Sequence, residues 1–501
     1  MNFSSNASIF PSKQGYDSTS FHFLYVHNLN GEFLYLSPEV EPILGEPISF
    51  FIKKTYFNML EDDESNCIQC KSNTSKTIEL FKEDKTSINS YEVVLRNFKT
   101  KQPMICRLFE KVLYENVPNN EPKIIGIQGI TISSNSNLDI LTNYYCFLLH
   151  KSQLHFVCSP IMSEIISSDN CQKLTTKITE IFEIHLQFVN QTDDHWLDKG
   201  KTLFQSQILF FIEKYLPIEF ILPAFPFKSK NTEKKVLSHL PDKGERLALE
   251  SLHIFCSEIQ NIYPPGAKIS IVSDGRVFAD IFQITDEHVS EYGIEIRAVA
   301  KEKGYGWIDF YNLEYFLDKC ETHDIARDRL VTYFGRKVED ITKRIEIDQD
   351  YAKMYCGFTK FLLEDLYNFM ENEKNILRKK YQMSRTQMKK DAKERAKFVM
   401  MRNDAYSRMV CTLFPLHIRL SIHAHNNSGP KFAIRLLPLM KISEKLVSDN
   451  NLHIPTPWHN VVVEDKNGKF VLMKKFQVER HSEKMVMVLD KKGMPSHYVF
   501  N

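Results

Sequence analysis

The sequence predicts an α/β protein in two parts, a small α+β domain followed by a larger domain with a largely parallel sheet. Three observations carry the prediction. Between residues 21 and 132, strand-like segments and a tight-turn signal follow one another in an antiparallel pattern. From about residue 160, amphipathic helices alternate with short apolar strands, the order of parallel strand–helix–strand units. Between the two textures lies the polar run SSNSNLD, residues 133–139.

The first 20 residues are polar and are expected to be disordered. In FHFLYVHNLNGEFLYL, two apolar segments flank Asn30-Gly31, whose tolerance of positive φ predicts a hairpin. Ser37-Pro38 suits an N-cap and first helical position. YEVVLRNF (91–98), PMICRLFEKVLYE (103–115) and KIIGIQGITI (123–132) read as strands. Together, residues 21–135 resemble a PAS domain in pattern and spacing. Residues 136–160 read as a linker with a connecting helix, and residues 161–501 as the second domain. There KITEIFEIHLQFV, QSQILFFIEKYL and GERLALESLHIFCSEIQNIY read as helices, with IEFILPAF and AKISIVSD as strands. Residues 371–397 carry ten Lys/Arg against four Asp/Glu and read as a solvated basic helix, part of a lid.

Composition excludes several classes. With 64 basic and 63 acidic residues the net charge is +1, which argues against a general nucleic-acid binder. No apolar run approaches the roughly 18 residues of a membrane span. The N-terminus lacks the pattern of a secretory signal, and ten cysteines follow no disulfide framework, so a cytoplasmic protein is expected. CIQC (67–70) is a lone pair of cysteines, insufficient for zinc. P-loop, dinucleotide and hydrolase-elbow motifs do not occur.

Four clusters can carry chemistry. ILPAFPFKSKN (221–231) runs from a strand into a proline-stiffened loop, where open α/β sheets bind ligands. Phe225 and Phe227 can face an aromatic ligand and Lys228 an anion, or the stretch is a core-packing loop with solvated lysines. In AKISIVSDGRVFAD, Asp274-Gly275-Arg276 ends a buried strand. Asp274 and Asp280 can take an ammonium, a hydroxyl or a proton, and Arg276 can clamp a carboxylate or phosphate. Equally, Asp274 can cap the following turn. Arg402 and Asn403 fall on a helix, while IRLSIHAH reads as a strand placing Arg419, Ser421, His423 and His425 on one face. The H-x-H pair lacks further metal ligands, so proton transfer or phosphate binding is favoured. Finally, TPWHNVV sets Trp458 and His459 at a loop-to-strand junction.

In this order, LPAFPFKSKN, LPDKGERLAL, YPPGAKISIVSDGRVFAD, RNDAYSRMV with FPLHIRLSIHAH, and TPWHNVV resemble the isonitrile (isocyanide) synthase family, grouped with the pyoverdine/dityrosine biosynthesis proteins. The resemblance covers about residues 160–475 and leaves the PAS-like part as an appended module. It implies a Rossmann-like lyase that converts the α-amino group of L-tyrosine or L-tryptophan to an isocyanide. Ribulose 5-phosphate is the implied carbon donor, with no metal or organic cofactor. On the implied roles, Phe225 and Phe227 line or support an aromatic pocket, and Lys228 and Arg419 bind phosphate or carboxylate with help from Arg276. Asp274 and Asp280 receive the amine or sugar hydroxyls, and His423 and His459 move protons. Arg402, Asn403, His425 and Trp458 complete the substrate site. Ala424 departs from the proline expected in many relatives. An iron/2-oxoglutarate-dependent oxygenase is the implied downstream partner, and a homodimer is compatible with the module. Two other readings stay open: a PAS-type sensor binding a metabolite without turnover, and a different lyase on the same scaffold.

Overall fold

The computed structural model describes residues 22–36, 40–47, 50–51, 55–56, 64–83, 88–115, 123–133, 168–188, 194–213, 215–317, 322–335, 338–368, 382–414, 417–423, 425–437, 456–480, 483 and 485–500. The expected disordered N-terminus, the Ser37-Pro38 cap, the linker at 136–160, residues 371–381 of the basic stretch and Ala424 lie outside the described residues. The chain divides into two compact units.

The N-terminal unit is built on one antiparallel sheet. Its strands are β1 (His22–His27), β2 (Phe33–Leu36), β3 (Asn89–Arg96), β4 (Pro103–Glu115) and β5 (Lys123–Ser133), in the order β2-β1-β5-β4-β3. The hairpin forms where the sequence predicts it, with Gly31 at φ 80°. Asn28 fixes that turn, its side-chain oxygen accepting from the backbone N–H of Asn30 (2.9 Å) and Glu32 (3.0 Å). The residues of CIQC fall within the helix Glu64–Glu83. Several polar side chains are buried in this unit, a carboxyl group among them. Glu110, fully buried, accepts from the hydroxyls of Tyr25 (2.7 Å), Tyr56 (3.1 Å) and Thr77 (3.2 Å). Burial raises its carboxyl above the ordinary range, and the hydroxyls satisfy it in either state.

The second unit centres on a five-stranded sheet in which every neighbouring pair is parallel. It comprises β6 (Ile218–Pro223), β7 (Ala267–Val272), β8 (Ile308–Tyr311), β9 (Ile418–Ser421) and β10 (Lys431–Ala433), in the order β10-β9-β6-β7-β8. β6 and β7 are buried along almost their whole length, as strands covered by helices on both faces must be. The helix Lys243–Ile262 connects them and begins in a capping box between Asp242 and Glu245. The chain runs β6 to β8 outward on one side, then returns to place β9 and β10 on the other. Strand order therefore reverses beside β6, the position at which open α/β sheets form ligand crevices.

Two features depart from the sequence-based expectation. The helix predicted through residue 189 stops at His185, and Leu186 and Phe188 form isolated bridges to Ile434 and His425. A second, four-stranded sheet also appears near the C-terminus: β11 (Val461–Glu464), β12 (Phe470–Met473), β13 (Met485–Leu489) and β14 (Pro495–Phe500) in the order β12-β11-β14-β13. No helix among the described residues is long and apolar enough to cross a membrane.

Candidate active site

A cavity of about 220 Å³ opens where β6, β7 and β9 end. Ala224, Pro226 and Phe227 follow β6, Asp274 and Phe278 follow β7, and Ile422, His423 and His425 follow β9. The helix Gln349–Tyr367 covers it with Met354, Gly357, Phe358, Phe361 and Glu364, one face at helical spacing. Val399 and Asn403 come from the helix Arg385–Leu413, and Trp458 and His459 from the 3₁₀ turn Pro457–His459. Phe282 and Lys431 complete the wall. The aromatic rings brace one another: Phe227 against Phe282 (6.0 Å between centroids), Phe282 against Phe361 (5.5 Å) and Phe361 against His459 (4.6 Å).

Three polar atoms in this wall are buried without a hydrogen-bond partner: Asp274 Oδ1, His425 Nε2 and His459 Nδ1. Buried polar groups are nearly always satisfied, so three orphans around one cavity make it the candidate ligand site. Asp274 occupies the N-cap position of the short helix Gly275–Phe278, yet its side chain makes no capping bond. The turn-capping alternative is thereby excluded. Burial pushes its carboxyl up to about 6, poised for proton transfer near neutrality.

The histidines are held neutral. The backbone N–H of Asn427 donates to His425 Nδ1 (3.1 Å), which assigns the ring proton to Nε2, the orphan atom. Asn427 itself is fixed by bonds to the carbonyl of Gln187 (3.0 Å), to Asp194 (2.7 Å) and from the Ala433 N–H (2.9 Å). Burial, then the charges of Lys431, His423 and Arg419, push the His425 imidazole down to about 3. Burial and the neighbouring charges of Lys235, His423, Lys228 and Lys474 hold His459 well below its ordinary range. His423 is exposed; crowding by protein and Lys431 act on it in the same downward direction.

Behind the cavity wall sits a buried charge cluster. Lys235 pairs with Asp365 and lies 3.4 Å from Glu364, and Lys474 lies 3.0 Å from Glu364. Lys235 is also 4.4 Å from the Phe361 ring centroid. Burial opposes ionisation of Glu364, but the two lysines outweigh it and hold its carboxyl below the usual range.

Of the residues predicted from sequence, the structure brings Phe227, Asp274, Asn403, His423, His425, Trp458 and His459 to the cavity. Phe225 is not in its wall; held at φ 56°, it supports Trp458 from behind, with ring centroids 5.2 Å apart. Lys228 is also elsewhere, fully buried against Asp242 (2.7 Å), Glu245 (2.9 Å) and the carbonyl of Pro457 (3.0 Å). The anion it meets is internal, and its bond to Pro457 positions the adjoining Trp458 and His459. Arg276 is consumed by Glu314 (2.6 Å), Asp286 (2.9 Å) and Ser290. Asp280 and Arg402 pair with each other, Arg402 also bonding the carbonyl of Val277 (2.9 Å). Arg419 lies on β9 opposite Lys431 in register. The strand expected through His425 ends at Ser421, so a bend rather than strand alternation presents the two histidines. Among the described residues, the His/Glu grouping close enough to share an ion is His239, His288 and Glu291, outside the cavity.

Sequence reasoning missed Lys431, Glu364 and the aromatic face of the covering helix. The spacing of Met354, Gly357, Phe358, Phe361 and Glu364 is a legible helical signal, but only the fold shows that this face covers a cavity. Gly275 fulfils the close approach its position suggests, because a Cβ there would lie 2.2 Å from the Pro226 carbonyl oxygen. Gly275→Ala is expected to cost about 1–3 kcal/mol of stability, read from the unfolding midpoint, by forcing apart the segments that carry Pro226 and Asp274.

Residues 208–486 match the model of the pyoverdine/dityrosine biosynthesis protein family, more than half of the chain. The chain belongs to this family. Among pyoverdine/dityrosine biosynthesis relatives, an L-tyrosine isonitrile synthase of Pseudomonas aeruginosa is 38% identical over 317 residues, covering 63% of this chain and 88% of that protein. The spore wall maturation protein DIT1 of Saccharomyces cerevisiae is 33% identical over 395 residues, 70% of each chain. The crystal structure of the PvcA protein from Pseudomonas aeruginosa superposes with a TM-score of 0.56 at 34% identity, covering 66% of this chain and all of that one. The orphaned polar atoms and the cavity wall all fall within the matched residues.

Proposed function

We propose that this family member is an isonitrile synthase, converting the α-amino group of L-tyrosine or L-tryptophan to an isocyanide with ribulose 5-phosphate as carbon donor. The supporting observation is the pairing of an aromatic wall with three unpartnered polar atoms at the reversal point of a parallel, Rossmann-like sheet. Phe227, Phe282, Phe358, Phe361 and Trp458 take the substrate ring. Asp274 receives the substrate ammonium and, as carboxylate, accepts its proton, freeing the amine to attack the sugar ketone. His425 donates from Nε2 to an oxygen of the sugar or carboxylate. His459, neutral and bordered by positive charge, exchanges protons as the carbon–carbon bond breaks, and Lys431 meets an anionic group. Lys431 in the cavity wall suits substrates that bring a phosphate and a carboxylate, whereas Lys235 and Lys474 are matched by Asp365 and Glu364 behind it. Lys228, Arg276, Asp280 and Arg402 act by positioning. No cofactor is required by this scheme, and an iron/2-oxoglutarate-dependent oxygenase is the class of enzyme that would consume the product. The N-terminal PAS-like unit serves to bind a small ligand, to mediate dimerisation or to dock on the enzyme.

The test is incubation of the full chain with each amino acid plus ribulose 5-phosphate, following product by mass and by tetrazine trapping. An isonitrile from one of the two is expected. No product from either overturns the proposal and leaves a metabolite-binding sensor as the better reading.

A further inference from the structure

A second cavity, of about 200 Å³, lies under the helix Asp286–Glu302 beside the ends of β7 and β8. It shares no lining residue with the first cavity. The two stand back to back: Ser273 lines the second and Asp274 the first, and Phe225 lines the second while its neighbours Ala224 and Pro226 line the first. Its walls are mainly apolar, from Phe225, Ile271, Val289, Ile296 and Phe310.

Two guanidinium groups reach it, and their situations differ. Arg276 is matched by Asp286 and Glu314. Arg297, half-buried, donates to the carbonyl of Gly293 in its own helix (3.0 Å) and lies 6.0 Å from the Phe310 ring centroid. Among the described residues no carboxylate lies within ion-pair distance of Arg297; burial lowers its pKa, and the more distant charge of Glu314 offsets this only in part. Asn312, also in the wall, makes no capping bond to the helix it precedes. A guanidinium has five donors, and here one of them is used within the protein.

We propose that this cavity is a binding site for a small organic monocarboxylate with an apolar body. The carboxylate would meet Arg297 and the side-chain amide of Asn312, and the body would rest on Phe225, Ile271 and Phe310. A single charge is specified because one guanidinium, Arg297, has no direct ion pair among the described residues; a phosphate dianion would bury a second charge without a partner. Its occupant would press on Phe225, which supports Trp458, so the site can sense an acid and alter the neighbouring cavity. This inference stands independently of the activity proposed above.

The probe is 4-fluorophenylacetate, observed by fluorine NMR with the full chain. Binding is expected, weaker for inorganic phosphate and for the neutral 4-fluorophenylacetamide in competition. Arg297→Met should weaken the probe by roughly tenfold or more. Ile294→Glu, at an exposed rim position that tolerates substitution, should weaken it by repulsion while leaving the circular dichroism unchanged. Failure of the wild-type chain to bind, or equal binding by Ile294→Glu and wild type, overturns the proposal.

Discussion

Asp274→Asn is expected to lower kcat/KM for the proposed isonitrile formation by roughly 10²–10⁴. The side chain has the same shape in both forms, so the loss would report the proton and charge rather than packing. Wild-type activity should rise with pH along a limb near 6, where burial has placed the Asp274 carboxyl, and the limb should vanish in the variant. His425, down at about 3, stays neutral through that range and adds no limb of its own. Stability carries the opposite signature. A carboxyl raised from 3.8 to about 6 contributes stability that is full below about 3.8 and is lost as pH climbs through 6. The depressed His425 contributes stability present above its unfolded value of 6.5 and lost as pH falls toward about 3. Asp274→Asn should therefore remove the decline between pH 4 and 6 and leave the acid-side decline in place. A pH profile of kcat/KM that keeps its limb in the variant would remove Asp274 from the role of base.

The second large effect is expected from Lys228→Met, which should destabilise the parallel-sheet unit by about 3–5 kcal/mol. Lys228, Asp242 and Glu245 are all sealed from solvent, and removing the cation leaves two acids facing each other. Burial opposes the charge on Lys228, but the two carboxylates outweigh it and raise its pKa, so its stabilisation is full below the ordinary lysine value and lost only above the raised one. Burial pushes the Glu245 carboxyl up against the opposing pull of Lys228, so loss of the lysine removes what holds it ionised. Adding Glu245→Gln to Lys228→Met should recover part of the loss, a coupling that thermal or denaturant unfolding can measure. A lysine that instead held a substrate anion would give a raised KM with an unchanged unfolding midpoint. That outcome would move Lys228 back into the site.

The two prolines and two phenylalanines of ILPAFPFKSKN illustrate how far the sequence could be followed. The segment does leave β6 at the crevice, as a strand ending in a stiff loop should. Which of its side chains turns inward was not legible. Phe225 adopts φ 56°, a conformation rare for a bulky residue, and this single dihedral sends its ring behind Trp458 while Phe227 reaches the cavity. Lys228 then points to the N-terminus of the helix Lys243–Ile262, because Asp242 and Glu245 wait there. Similarly, Asp280 and Arg402 lie 122 positions apart, and their pairing depends on how the helix Arg385–Leu413 crosses the segment after β7.

What the sequence determined by itself was local: the hairpin at Asn30-Gly31, the buried strands β6 and β7, the turn at Asp274-Gly275, and the residue types gathered at strand ends. These follow from backbone freedom and apolar periodicity, which act over a few residues. Tertiary structure decided which charges are spent and which are left. Lys228, Arg276 and Arg402 find internal partners and become framework, whereas Asp274 Oδ1, His425 Nε2 and His459 Nδ1 are left without a hydrogen-bond partner in residues that line a cavity. The reason is that a buried charge must be paired at short range, and its partner lies far along the chain where no local pattern can announce it.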